Sequence, residues 1–236
     1  MFSISGVLNW FADPENWLGR YGLWQLLGEH LLLSFGSIML AALLALPLGI
    51  IVGHFGKAQA LVVGLSSVSR AVPTMGLLFA LVMVFGVTQR ELAVTLALAA
   101  IAVPPILAGT YSGINAIERS TKIAAIAQGM RVWQLIWFVE LPLAASSIIG
   151  GFRIAFIQVV STVVLAPLVG LGGLGFGVIQ GLALRDFAQV TATAFIIVLL
   201  TLVGDQLIGL AQSKTRVIMK TSKTQSATKQ IKKERK

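Results

Sequence analysis

Residues 31–52 read LLLSFGSIMLAALLALPLGIIV, without one charged side chain. A hydrocarbon core of about 30 Å takes about 20 apolar residues as a helix, so this run is long enough to cross a bilayer. Similar runs occupy residues 61–84, 92–111, 143–164 and 187–210. The pattern predicts an all-α polytopic membrane protein with about five transmembrane helices. Pro47 predicts a kink in the first, and Pro104 and Pro105 fall inside the third. Pro73 predicts a bend over residues 70–75 of the second. Broken backbone at that depth is tolerated only against protein or a water-filled cavity.

Composition agrees. Of 236 residues, 56% are hydrophobic and 11% charged, and the mean hydropathy is +0.88. Too few polar side chains exist to cover a soluble globule. The net charge of +9 is concentrated in residues 214–236, which carry nine Lys and Arg against Glu234 alone, while the rest is nearly neutral. A basic segment after a last span is drawn to anionic headgroups and marks a cytoplasmic end. It has no aromatic residues on which bases could stack, so membrane lipid, and no nucleic acid, is its expected partner. Its Lys, Ser, Thr and Gln content predicts disorder.

With the C-terminus inside, five spans put the N-terminus outside. Lys57, Arg119, Lys122 and Arg131 then lie inside with the tail, leaving Arg20, Arg90 and Arg185 outside. Residues 1–28, with Trp10, Trp17 and Trp24 spaced seven apart, read as an interfacial segment. Asp13, Glu15 and Arg20 are scattered through its first part, unlike a cleavable signal peptide. The expected division is 1–28, a transmembrane domain over 29–211 containing a cytoplasmic loop at 113–142, and a tail over 212–236.

That loop is the most informative polar interval. Residues 123–142 read IAAIAQGMRVWQLIWFVELP. Ser120 is placed to cap a short helix ending at Gln128, Gly129 permits a sharp turn, and residues 132–139 suit a second amphipathic helix. Pro142 then stands at the start of a span, where its missing N–H does no harm. Small side chains at Ala124 and Ala125 suit a helix docked in a partner's groove.

At these residues the chain resembles the coupling loop of ABC importer permeases, whose pattern is Glu-Ala-Ala, three residues, Gly, nine residues, Ile, one residue, Leu-Pro. Ala124, Ala125, Gly129, Leu141 and Pro142 fall in register, with Met130 and Arg131 following the glycine. Val139 replaces the Ile, and Ile123 stands where the family usually has Glu. Val72-Pro73-Thr74, residues 110–113 (TYSG), residues 151–153 (GFR) and residues 166–175 (APLVGLGGLG) look like the osmoprotectant branch, which carries glycine betaine, carnitine, choline and related quaternary amines.

The resemblance implies a type I ABC importer permease fold in a bacterial plasma membrane. It implies ABC ATPase subunits at the loop, a second permease that is the same or a sister chain, and an extracytoplasmic substrate-binding protein. No cofactor is expected on this chain. A phosphate-cradling loop needs Gly, four residues, then Gly-Lys-Ser/Thr, and Gly53-His54-Phe55-Gly56-Lys57-Ala58 has neither that spacing nor the hydroxyl. ATP hydrolysis belongs to another chain. The alternatives are a permease for another small solute such as methionine, an ion-coupled carrier, for which paired broken helices in two halves are not seen, or a scaffold without substrate.

Within the spans, Arg70, Pro73, Thr74, Tyr111 and Arg153 are candidates for the translocation pathway, because a basic group at membrane depth faces the bundle interior, snorkels or pairs. Phe79, Phe85, Phe152 and Phe156 join Tyr111 as aromatic faces for a quaternary ammonium or as packing residues. Glu140 and Asp205 read as partners for cations near the cytoplasmic end. His30 and His54 have no metal-ligand spacing, there is no cysteine, and no nucleophile and base pair can be assembled. Gly170, Gly172 and Gly175 match Gly-x-Gly-x-x-Gly without the strand that would give it meaning. They read as an external or re-entrant turn.

Overall fold

A computed structural model describes residues 3–56, 60, 62, 64 and 72–234, with side chains as far as Thr215. Among these residues all regular structure is helical, the form in which a single segment satisfies its own backbone in hydrocarbon. Helix α1 is Ile4–Ala12, α2 Leu23–Phe55, α3 Thr74–Phe85 and α4 Arg90–Asn115. Two short helices follow, α5 Arg119–Ala127 and α6 Val132–Leu135. A π-turn, Ile136–Glu140, then leads into α7 Leu141–Val163, and α8 Gly175–Leu184 precedes α9 Phe187–Glu234.

Four segments are long and apolar enough to cross a membrane: Leu23–Phe55, Val87–Asn115, Val132–Val163 and Phe187–Thr215. The expected second span appears only as the shorter α3, because much of its first half, Arg70 included, lies outside the described residues. Pro47 does not interrupt α2, nor do Pro104 and Pro105 interrupt α4. Both helices are packed along their length, and neighbouring helices support a backbone whose donors are missing.

Several boundaries move. The first long helix begins at Leu23, so Trp24 belongs to it rather than to a separate interfacial segment, and the Trp17 ring lies 5.6 Å from that of Trp24. Helix α4 continues to Asn115, past the expected loop start at 113. Residues 167–181 fold as the 3₁₀ turn Ala166–Val169, a glycine turn and α8. Where the composition predicts a disordered tail, α9 continues to Glu234; Lys, Gln, Ala and Met are good helix formers, and no Gly or Pro intervenes after Gly209.

Helix α4 is the centre of the bundle, packed along α2 on one side and α7 on the other. The approach to α7 is fixed by Gly109 and Gly151. A Cβ on Gly109 would stand 2.8 Å from the Gly151 Cα, and one on Gly151 would stand 2.6 Å from the Pro105 carbonyl oxygen. On the other side, Gly49 and Gly53 of α2 lie under Thr110 and Ile114. Small residues let helix backbones approach where lipid supplies no hydrophobic drive for helix association.

Gly151→Ala must therefore separate α4 from α7 or distort both, at a cost of about 1–3 kcal/mol. Gly36→Ala meets open space. Fluorescence-detected gel filtration in detergent is expected to show a reduced monodisperse peak for Gly151→Ala and an unchanged one for Gly36→Ala.

Candidate functional site

The loop end of the bundle gathers three elements around one carboxylate. Glu140, in the π-turn, is 0% exposed. The His54 Nδ1–H, from the last turn of α2, donates to Oε2 at 2.9 Å and lies 3.0 Å from Oε1. The Lys122 ammonium, from α5, reaches Oε1 at 2.8 Å. A carboxylate taken out of water is tolerable only when charge and hydrogen bonds compensate it, and here both partners come from other helices. The loop is thereby tied to α2 and α7.

Helix α5 starts one residue before the expected cap. Glu118 is its N-cap residue, and Ser120 instead donates to Glu118 Oε2 at 3.3 Å. Its end matches expectation more closely. Gly129 adopts φ +84°, its N–H bonds the Ile126 carbonyl at 2.9 Å and the Met130 N–H bonds that of Ala125 at 3.2 Å. This is the left-handed helix termination that favours glycine. Arg131 then starts α6, its N–H donating to Gln134 Oε1 at 2.8 Å.

The second short helix is not separate. Helix α6 passes through the π-turn into α7, so that Val132–Val163 is one continuous segment of 32 residues. The sequence reads residues 132–139 and the span starting near 143 as separate helices; the structure joins them through the π-turn, with Pro142 in the first turn of α7 directly after it. Ala125 is buried against the loop's own structure and Ala124 is exposed. The loop also exposes apolar side chains: Ile123, at 55%, and Ile126 beside Ala124 on α5, and Trp133, Trp137 and Phe138 on the segment that follows. The indoles of Trp133 and Trp137 lie 5.2 Å apart. Val139 and Leu141 are half-buried, and Pro142 is exposed.

Of the pathway candidates, Thr74 lines a cavity of about 440 Å³ with Val72, Ile101, Ile157, Gln158, Ser161 and Thr162. Pro73 is the N-cap of α3 beside it. The Gln158 Oε1 is buried with no hydrogen-bond partner among the described residues. Gln158, Ser161 and Thr162 escaped sequence reasoning because single uncharged polar residues do not interrupt an apolar run. Only their shared face of α7 reveals them.

The other candidates lie elsewhere. Tyr111 is buried in the core cluster, and Arg70 lies outside the described residues. Arg153 makes a two-pronged ion pair with Asp205 of α9, one prong being Nη2 to Oδ2 at 2.6 Å. Phe156 packs on Gly204 of the same helix. Glu140 does partner a loop cation, Lys122; the role of His54 was missed because 86 residues separate it from Glu140.

A family model described as "Binding-protein-dependent transport system inner membrane component" matches residues 45–217. The chain is 33% identical over 154 residues to the choline transport system permease protein OpuBD of Bacillus subtilis, covering 65% of this chain and 67% of that protein. It is 30% identical to the glycine betaine/carnitine/choline transport system permease protein OpuCD of the same organism, over 77% and 79% of the two chains. A solved chain of the MetNI methionine ABC transporter in an inward-facing conformation superposes with a TM-score of 0.69 at 20% identity, over 85% of this chain and 99% of that one. This last likeness is one of fold.

Glu140→Ala strands Lys122 and His54 beside a void and is expected to destabilise the protein by about 3–5 kcal/mol. Glu118→Ala, at an exposed position, is expected to change stability by less than about 0.5 kcal/mol. Thermal unfolding of the two variants in detergent checks the difference, and equal midpoints would remove the structural role given to Glu140.

Proposed function

Because this chain belongs to the family of binding-protein-dependent transport system inner membrane components, we propose that it is the permease subunit of an ATP-driven importer for a quaternary-amine osmoprotectant such as glycine betaine, carnitine or choline. Two such permeases, identical or sister chains, form the pathway. An extracytoplasmic protein delivers substrate, and two ATPase subunits drive the cycle from the cytoplasmic side. The chain itself transports and does not hydrolyse ATP.

The observation that carries this reading is the construction of the loop. It presents an apolar, small-residue platform outward while Glu140 binds it inward to α2 and α7. A surface of this kind suits helix-in-groove docking, with Ala124, Gly129, Met130 and Arg131 at its turn and Val139, Leu141 and Pro142 at its root. Displacement of the docked loop moves α7, whose other face carries Gln158, Ser161 and Thr162 beside Thr74. Among the described residues, the lining of that cavity mixes apolar side chains with uncharged polar ones. It accommodates a cation or a zwitterion without holding either by an ion pair, as a pathway that must release its cargo requires.

The left-handed turn supplies the test. A bulky L-residue at φ +84° is disfavoured by roughly 1–2 kcal/mol, a factor of about 5–30 in the population of the competent turn. Asn tolerates this conformation. With the ATPase and binding protein co-expressed, Gly129→Val is expected to lower glycine betaine uptake by that factor at normal membrane levels, and Gly129→Asn to retain most of it. Undiminished uptake by Gly129→Val would count against loop-driven transport.

A further inference from the structure

At the end of the bundle opposite the loop, a cavity of about 620 Å³ opens between the start of α2, the start of α4 and the glycine turn before α8. Its wall holds both signs of charge and an aromatic stack: Arg20, Arg90, Glu29, Glu91, Tyr21 and Phe176. The Tyr21 and Phe176 rings are stacked, with centroids 4.7 Å apart and planes 11° from parallel. The Arg20 guanidinium carbon stands 5.9 Å from the Tyr21 centroid. The stack already receives a cation at its face, the geometry in which a ring quadrupole attracts positive charge.

The carboxylate beside the stack is held in place. Glu29 Oε2 accepts the Gly173 N–H at 3.1 Å, and Oε1 accepts from Gln25 Nε2 at 2.9 Å. A side chain at Gly172 would collide with Glu29, and Arg90 Nη1 lies 3.3 Å from where a Cβ on Gly170 would stand. The glycine turn therefore lets an acid and a base converge on one cavity. Arg90 and Glu91 form no ion pair with any described residue.

We propose that this cavity is a binding site, on the permease itself, for a zwitterionic quaternary amine. Arg90 takes the ligand's carboxylate, as a planar guanidinium does with two N–H donors. The methylated nitrogen has no N–H to donate and takes the place of the exposed Arg20 guanidinium on the face of Tyr21 that Phe176 leaves open, beside Glu29. A quaternary cation lacking a carboxylate engages only half of the site. The cavity's size falls in the range of small-molecule sites and leaves room for water around a solute of this class. The inference rests on the osmoprotectant reading and adds to it a station where substrate is held after delivery and before it enters the membrane.

The test uses the permease with its ATPase subunits in nanodiscs, without the binding protein, and equilibrium binding of radiolabelled glycine betaine. Saturable binding is expected, with choline competing about tenfold less well, a difference of one ordinary ion pair. Arg90→Gln and Tyr21→Ala are each expected to weaken binding by about tenfold. Absence of saturable binding, equal competition by choline, or indifference to both substitutions would overturn the site. If the variant complexes do not assemble, the choline competition on the unaltered complex decides. Uptake with the binding protein present separates the two readings. Import of glycine betaine without binding in nanodiscs removes the site alone, whereas no import of any quaternary amine removes the osmoprotectant reading.

Discussion

Everything in this bundle depends on how closely α4 approaches its two neighbours. In water, apolar helices associate because solvent expels them, but lipid tails are as apolar as leucine, and association must come from packing and polar contacts. Gly109 against Gly151, and Gly49 and Gly53 beneath Thr110 and Ile114, bring backbone within reach of backbone over the half of α4 nearer the loop. Thr110 hides its hydroxyl by donating to the Ile106 carbonyl at 2.8 Å, so it adds packing without an unpaired polar atom. With α2, α4 and α7 locked in this way, both ends of the bundle have a fixed frame. The loop hangs from one end and the charged cavity opens at the other.

The loop end uses a different kind of bond. A fully buried Glu140 held by His54 and Lys122 is an arrangement that contributes little net stability relative to well-packed apolar groups, yet becomes expensive when one partner is removed. Its value is geometric: three helices meet at one carboxylate. Outward, the same loop shows Ile123 where the family pattern has an acidic residue. The exposed side chain there is apolar, as are those of Ile126 and of the Trp133–Trp137 pair. A partner docking on it loses an ion pair at that position and gains buried area.

Much of this was legible in the sequence because bilayers impose a coarse and unforgiving pattern. The runs at residues 92–111, 143–164 and 187–210 lie within helices or coincide with their starts to within a few residues, and the Ala-Ala-Gly-Leu-Pro register located the loop. What the sequence could not show falls into two kinds. Helix ends moved wherever no strong breaker stood: α2 reaches back to Leu23, and α6 runs through the π-turn into α7, with Pro142 directly after that turn. Convergence was also hidden, since His54, Lys122 and Glu140, or Glu29 and Gly173, meet only after the chain has crossed the membrane more than once.

The continuity from Val132 to Val163 has one more consequence. At about 1.5 Å per residue, 32 residues make a rod of about 48 Å. One end lies in the loop of residues 123–142. The other end stops at Val164, whose carbonyl oxygen is pressed against Gly175, where the glycine turn flooring the charged cavity enters α8. Tilting such a rod by about 5° about one end carries the other through about 4 Å, on the same rise per residue. A segment of this length is a lever, with one arm at the loop end of the bundle and the other at the opposite end. Because only the π-turn at Ile136–Glu140 interrupts its α-helical ladder, the position of the glycine turn and the posture of the loop are two readings of a single mechanical coordinate.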